Sequence, residues 1–162
     1  MKYIALLRGI NVGGNSLVKM SDLKKSFEDL GFKNVMTYIN SGNVIFEGNV
    51  KNISKLPWKT VVISEKELKE VIDNAPNSWK KDDLRKYVAF LLPPVKPEDV
   101  LKEITLKEDV DYIDVGKNVL YMSTKLEGIS KSSFKDLIKT VSYKSMTMRN
   151  FNTVEKLLKL TS

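Results

Sequence analysis

The chain contains two short apolar runs that read alike and lie far apart in the sequence. The first is Tyr3-Ile4-Ala5-Leu6-Leu7, and the second is Tyr87-Val88-Ala89-Phe90-Leu91. A continuous apolar run of this length, bounded by polar residues, predicts a strand that is covered on at least one face. A helical pattern and then a hairpin pattern follow each run, so we expect a β-α-β-β unit in each half of the chain.

The helix that follows each run is predicted from apolar residues at helical spacing and from its end signals. The apolar positions are Leu23, Phe27 and Leu30 in the first half and Val100, Leu101 and Ile104 in the second. Ser21 is the expected N-cap of the first helix, and Gly31 stands where a C′ glycine belongs. Pro97 suits the first turn of the second helix.

The hairpins are predicted from two blocks that match across the halves. The first block runs over residues 38–46 and the second over residues 112–121, with turn candidates at Ser41-Gly42 and at Gly116-Lys117. A strand at residues 59–63 and a helix opened by a Ser64/Glu67 capping box follow the first hairpin.

The second hairpin is followed by a predicted helix, a short strand at residues 143–148 and a last helix. The apolar side of the first of these helices consists of Phe134, Leu137, Ile138 and Val141. Asn152, with Glu155 three positions later, is the expected N-cap of the last helix. In the first half, residues 48–58 contain Pro57 and leave no room for an equivalent crossover helix.

These elements predict an α+β protein of two tandem ferredoxin-like (β-α-β-β based) subdomains, the first lacking its second crossover helix. We expect the subdomains to span residues 1–81 and 82–162. Lys2 and Lys86 are 84 positions apart, whereas Tyr38 and Tyr112 are 74 apart, so the first half carries about ten extra residues before its hairpin. They fall most naturally in residues 8–16, which we call the glycine loop. Long connections are where function tends to concentrate.

The glycine loop has the composition of an anion-binding segment. Three of the eight glycines lie in it, and glycines let backbone N–H groups approach an anion closely. The candidate ligand-binding residues are Arg8, Gly9, Asn11, Gly13, Gly14, Asn15, Ser41, Asn43, Arg149 and Asn150. A P-loop is rejected because Asn15 replaces the lysine and the helix begins too late.

Each of these candidates also has a purely structural interpretation. The glycines can simply permit an irregular loop, and Arg8 can pair with a carboxylate inside the protein. Ser41 and Asn43 are ordinary turn formers, and we favour that interpretation for them. If the first two strands are parallel, the glycine loop and the turn at Ser41 lie at the same end of the sheet, about 10 Å apart with one strand between them.

Composition narrows the possible chemistry. The chain has no Cys and no His, which excludes disulfides, thiolate catalysis, Ser-His-Asp triads and metal sites built on those residues. We therefore expect no metal and no cofactor, and an enzyme is not favoured. The formal net charge is +7, but Lys and Glu are interleaved along the chain rather than gathered in a basic run. The N-terminal apolar run is too short for a signal peptide or a membrane span, so we expect a cytoplasmic protein.

Three strings in the chain resemble the signatures of the domain-of-unknown-function 1697 family. They are Leu6-Leu7-Arg8-Gly9-Ile10-Asn11-Val12-Gly13-Gly14, Tyr38-Ile39-Asn40-Ser41-Gly42-Asn43 and Thr147-Met148-Arg149-Asn150-Phe151-Asn152-Thr153. The resemblance implies a bacterial-type cytoplasmic protein with two ferredoxin-like α+β subdomains. It implies no activity, because none is established for that family.

The function that the sequence favours is the binding of a small anionic ligand, a nucleotide or a phosphorylated metabolite, at the glycine loop. An RNA-binding module is the main alternative, although neither half contains a string typical of RNA-binding ferredoxin-like domains. A third possibility is a protein–protein interaction module with Trp58 and Trp79 as exposed anchors. We do not favour it, because aromatic residues are usually buried. The sequence leaves the oligomeric state open.

Overall fold

The computed structural model describes residues 1–12, 14 and 16–162 and contains both helices and antiparallel sheets, so the predicted α+β class is confirmed. The strands are β1 (Lys2–Leu7), β2 (Lys33–Tyr38), β3 (Asn43–Glu47), β4 (Thr60–Ser64), β5 (Leu84–Leu91), β6 (Asp111–Val115), β7 (Val119–Lys125) and β8 (Met146–Asn150). The α-helices are α1 (Met20–Asp29), α2 (Glu65–Asp73), α3 (Pro97–Glu103) and α4 (Phe151–Thr161). Short 3₁₀ helices span Val50–Lys55, Asn77–Lys80, Leu126–Lys131, Ser133–Lys139 and Ser142–Ser145.

The strands form two four-stranded sheets with the same internal order. The first sheet runs β2-β3-β1-β4 and the second runs β6-β7-β5-β8. Every pairing between neighbours is antiparallel. The two predicted hairpins, β2-β3 and β6-β7, therefore occupy corresponding places, and β1 is parallel to β2 with β3 between them.

The chain divides into two compact units. The first comprises residues 1–69 and 155–162, and the second comprises residues 70–154. Both boundaries fall inside helices, since α2 and α4 each contribute residues to both units.

One face of the first sheet packs against α1. Leu23 and Phe27 are fully buried on the helix and belong to the same apolar cluster as Leu7 and Phe46 of the sheet. Phe27, Phe32 and Phe46 contact one another, with ring centroids 4.7–5.6 Å apart. These tilted and edge-on contacts are the arrangement that the aromatic quadrupole favours, so α1 is fixed by the packing of its predicted apolar side.

The corresponding face of the second sheet packs against α3. Val100 of α3 is fully buried with Ala89, Leu120 and Met122, and Leu137 closes the cluster from the segment before β8. Leu101, which we placed on the apolar side of α3, is instead 39% exposed.

Several end signals act as the sequence predicts. Gly31 has φ +88° just after α1, Pro97 occupies the first turn of α3, and the Ser64/Glu67 capping box is formed. Two predicted caps are wrong. Lys19, not Ser21, is the N-cap of α1 and makes no side-chain cap bond.

The second wrong cap is Asn152. Helix α4 begins at Phe151, and the side chain of Asn150 accepts a hydrogen bond from the Asn152 N–H at 3.0 Å. Strand β8 runs directly into the helix, which places the capping side chain two residues earlier than the sequence pattern suggests.

The helix predicted before β8 is also wrong. Residues 126–145 form three successive 3₁₀ helices, with Ile138 and Val141 largely exposed rather than packed. The segment opens with Gly128, Ser130, Ser132 and Ser133, which are poor formers of an α-helix interior. Asp111 accepts a hydrogen bond from the Ser133 N–H, where the second 3₁₀ helix begins, and Glu103 accepts one from the Ser142 hydroxyl, where the third begins. These bonds fix short turns rather than one long helix.

Within the described residues, no helix is long and apolar enough to cross a membrane; the longest, α4, has 11 residues.

Candidate functional site

The glycine loop lies in the connection between β1 and α1, residues 8–19. The corresponding connection of the second sheet, residues 92–96, is much shorter. The Leu7 N–H donates to the Gly42 carbonyl and the Arg8 N–H donates to the Lys59 carbonyl, both at 2.9 Å. The connection therefore leaves β1 between the β2-β3 turn and the residue that precedes β4. We call these three segments, residues 8–19, 39–42 and 57–59, the loop end of the first sheet.

Asn11 forms hydrogen bonds both within the connection between β1 and α1 and to the β2-β3 turn. Its side-chain amide donates to the Val18 carbonyl at 3.0 Å and to the Asn40 carbonyl at 2.8 Å. Its side-chain oxygen accepts from the Val18 N–H at 2.8 Å, and its own N–H donates to the Ser16 carbonyl at 3.1 Å. Both amide hydrogens are thus used within the protein, so Asn11 holds the shape of the loop rather than offering donors to a ligand.

Ile10 and Gly42 form the apolar part of the same junction. Ile10 is buried, and a Cβ at position 42 would lie 2.6 Å from its Cδ1 atom. Gly42 also has φ +89°. Glycine is required at this position both because the backbone is left-handed and because Ile10 occupies the space of a side chain.

Ser41 and Asn43 belong to the β2-β3 turn. Asn43 is fully buried and donates both amide hydrogens, to the Tyr38 carbonyl and to the Ser41 hydroxyl, at 2.9 Å each. The separation of about 10 Å that we expected between turn and loop is wrong, because Asn11 bonds the turn directly. The error arises because the turn also belongs to β3, which is the immediate neighbour of β1.

The backbone of the loop is left-handed at several positions. Gly9 and Gly14 have φ +72° and +75°, and Asn11 and Ser16 have φ +54° and +51°. A Cβ at Gly9 or Gly14 would meet nothing within 4 Å. These two glycines are exposed and leave open surface beside the loop. The predicted ligand residues Gly13 and Asn15 lie outside the described residues.

The charged residues of the loop end are all cationic. They are Arg8, Lys19 and Lys59, and residues 8–19, 39–42 and 57–59 contain no Asp or Glu, although the whole chain has 20. The acidic residue that follows the loop most closely is Asp22, which is exposed in the first turn of α1. Helix α1 begins at Met20, directly after this connection, so the positive end of its dipole also lies at this end of the sheet.

Ile39, in the β2-β3 turn of the loop end, has a strained backbone. It has φ +49°, a conformation that costs a β-branched residue about 1–2 kcal/mol. It is also 47% exposed, so burial does not offset that cost. Val12 of the glycine loop and Leu17, which directly follows the loop, are exposed by 63% and 77%. No sequence pattern singles out these three aliphatic residues, because surface placement cannot be read from an isolated Val, Leu or Ile.

Arg149 and Asn150, the remaining candidates, belong to the second unit. Arg149 lies on β8 and is 7% exposed, and its guanidinium donates to the Met148 carbonyl at 2.9 Å. Burial lowers the pKa of Arg149 to about 10, which still leaves it charged at neutral pH. Asn150 caps α4 as described above, a structural role.

Sequence reasoning missed a buried carboxylate on β6. Asp111 is 4% exposed and accepts from the hydroxyls of Thr124, Ser132 and Ser133 at 2.8, 2.7 and 2.6 Å. It also accepts from the Ser133 N–H at 2.7 Å. Burial alone raises the pKa of Asp111, but the hydrogen bonds from these serines and Thr124 outweigh it and hold the pKa below its ordinary value. An acidic residue at the start of an apolar strand was the only signal of this network.

Neither tryptophan is an exposed anchor. Trp79 is 5% exposed and makes edge-on contacts with Tyr121 and Phe151, and Trp58 is half-buried against the first apolar cluster. Among residues 1–12, 14 and 16–162, no group of three or more acidic side chains is placed to hold a metal ion.

Comparison with known proteins agrees with the fold and assigns no activity. The sequence model of a family described as "Protein of unknown function (DUF1697)" matches residues 1–121. A conserved bacterial protein, SP0830 from Streptococcus pneumoniae, has a solved structure that is similar to this chain, with a TM-score of 0.86 and 27% sequence identity over 99% of this chain and 98% of that one. No curated protein matches the chain.

Proposed function

The chain belongs to the DUF1697 family, and from that starting point we propose that it binds a small anionic ligand, a nucleotide or a phosphorylated metabolite, at the loop end of its first sheet. We further propose that each unit is a ferredoxin-like subdomain, the two being related by an internal repeat. The matching strand orders of the two sheets support this architecture.

The observation that carries the ligand proposal is the one-sided charge of the loop end. Arg8, Lys19 and Lys59 come from two separate segments, and the three segments that meet there have no acidic residue. In a chain with interleaved charges elsewhere, such a surface favours anions over cations. Gly9 and Gly14 leave the backbone open to close approach, as an anion-binding loop requires.

The roles within this site differ from residue to residue. Arg8 supplies a charged, forked donor, and the glycines supply open backbone. Asn11, Ser41 and Asn43 keep the loop and the turn in place through bonds that are already formed. Because Arg8 carries the charge and the glycines carry the open backbone, we expect the ligand to contact these residues and to leave Asn11, Ser41 and Asn43 unchanged.

Removing the Arg8 side chain tests the proposal. A charge-assisted contact is worth about 1.5–3 kcal/mol, so Arg8→Ala is expected to weaken binding of AMP or pyrophosphate more than tenfold in a titration. Arg85→Ala, which removes the same charge from an exposed position on β5, is the matched control and should change nothing. If Arg8→Ala is less stable than the wild type but binds both anions as well as before, the site is not at this loop.

RNA is the alternative anion for the same charge. The usual sheet-face mode of RNA recognition needs an open sheet, whereas the central strands here bury residues of both faces, such as Ile4 and Ala5 on β1 or Val88 and Ala89 on β5. Weak binding of short single-stranded RNA without base preference is the expected result. Tight binding that depends on sequence at physiological salt would favour the RNA alternative.

A further inference from the structure

Three exposed aliphatic side chains surround the hub that Asn11 makes at the loop end. Val12 follows Asn11, Leu17 precedes Val18, and Ile39 precedes Asn40. The Asn11 side chain bonds the backbone of both Val18 and Asn40, so each aliphatic residue is one position from a residue of the hub. Consecutive Cα atoms are about 3.8 Å apart, so the Cα atom of each of the three residues lies next to a residue of the hub. We call them the aliphatic trio.

The conformation of Ile39 indicates that the trio is not an accident of loop composition. Asn or Gly adopts a positive φ, such as the +49° of Ile39, at much lower cost than a β-branched residue. Ile39 is nevertheless both strained and about half exposed, at 47%. Strained residues that do not contribute to the core are typical of functional surfaces. Here the strained residue adds apolar surface.

The trio lies close to the proposed anion site. Arg8 is three residues before Asn11, so their Cα atoms are at most about 11 Å apart, and the side chain of an arginine spans much of that distance. A ligand that contacts Arg8 with an anionic group can therefore reach the trio with an adjoining part of only a few atoms.

Resting on the proposed function, we infer that the ligand of the loop end is an amphipathic anion, a phosphate joined to an apolar ring or chain, whose apolar part contacts Val12, Leu17 and Ile39. A bare phosphate or a sugar phosphate uses only the cationic half of this surface. Burying about 60 Å² of apolar ligand surface against the trio corresponds to roughly a tenfold gain in affinity.

A matched series of phosphates tests this inference. All three ligands carry the same anionic group. Inorganic phosphate has nothing attached to it, ribose 5-phosphate has a polar sugar, and hexyl phosphate has an apolar chain. We expect hexyl phosphate to bind at least tenfold more tightly than ribose 5-phosphate in calorimetric titrations. Equal affinities that are all lost in Arg8→Ala would overturn this inference and leave the anion site standing. If none of the three phosphates binds, both proposals fail.

Variants of the trio locate the apolar contact. Ile39→Asn removes the strain, so the melting temperature should rise by about 2–4 °C while the affinity for hexyl phosphate falls several-fold and that for inorganic phosphate stays the same. Leu17→Ser should reproduce the loss of affinity without the gain in stability. Val115→Ser, at a 54% exposed position on β6, is the control. If Ile39→Asn and Leu17→Ser both bind hexyl phosphate like the wild type, the trio does not contact the ligand.

Discussion

The Asp111 network provides the sharpest test of how the second unit is held together. One buried carboxylate on β6 accepts hydrogen bonds from β7 through Thr124 and from the 3₁₀ segment through Ser132 and Ser133. Replacing Asp111 with Asn keeps the size of the side chain but replaces one carboxylate oxygen with an NH₂ group, which cannot accept the hydrogen bonds of these donors. Hydrogen bonds to a charged group contribute about 1.5–3 kcal/mol each and are not additive, so we expect Asp111→Asn to lower the free energy of unfolding by about 2–4 kcal/mol at pH 7.

The pH dependence of the unfolding free energy distinguishes a loss of the carboxylate charge from a change in packing. The pKa of Asp111 is held below its ordinary value of 3.8 in the folded protein. The stability that this shift contributes is therefore fully present above about pH 5, and it is lost as the pH falls through 3.8 toward the folded pKa. A protonated Asp111 resembles Asn, so the difference between the two proteins should shrink in acid.

Urea unfolding of both proteins at pH 7 and at pH 3 measures these quantities. Asp114→Asn, on the same strand but exposed, is the matched control and should change stability by less than about 0.5 kcal/mol. A difference at pH 7 below that limit, or one of the same size at both pH values, would refute the assignment of a stabilising carboxylate.

Two further substitutions test separate contacts by urea unfolding. Tyr121→Phe removes a hydroxyl that donates to the Val71 carbonyl at 2.6 Å, so leaving that buried carbonyl unpaired should cost about 1–3 kcal/mol, and no loss would mean that the bond contributes nothing. Gly42→Ala should cost at least about 2 kcal/mol more than Gly9→Ala, because both residues have positive φ but only at Gly42 would the new Cβ meet Ile10; equal costs would show that Ile10 moves aside.

The parts of the fold that could be predicted depend on residues close together in the sequence. The Ser64/Glu67 box, the C′ position of Gly31 and the first-turn Pro97 each involve one helix end, and all three are confirmed. The continuous apolar runs likewise identified β1 and β5 as central strands. In each case the physical cause lies within a few residues of the signal.

Two of the predictions that failed concern contacts between distant residues, whereas the wrong caps at Ser21 and Asn152 are errors of two positions at a helix start. A helix was expected over Phe134 to Val141 from apolar spacing alone, but Asp111 holds the start of this segment from more than 20 positions away. The spacing of apolar residues could not reveal this hydrogen bond, because no sequence pattern connects Asp111 to Ser133. The role of Asn11 was missed for the same reason, since its partner Asn40 belongs to another strand connection.

Several residues of the first two signature strings stabilise the fold through contacts between the strings and need no ligand to explain them. Ile10 packs on Gly42, and Asn11 bonds Asn40, so each string supplies the other's partner. A distinctive motif is thus not by itself a binding site. The informative residues are those whose conformation costs stability without filling the core or closing a bond described above. Ile39 is of this kind, and it lies at the loop end, where the charges are all cationic. For this reason we propose the ligand site at this surface and not at the parts of the two strings that pack against each other.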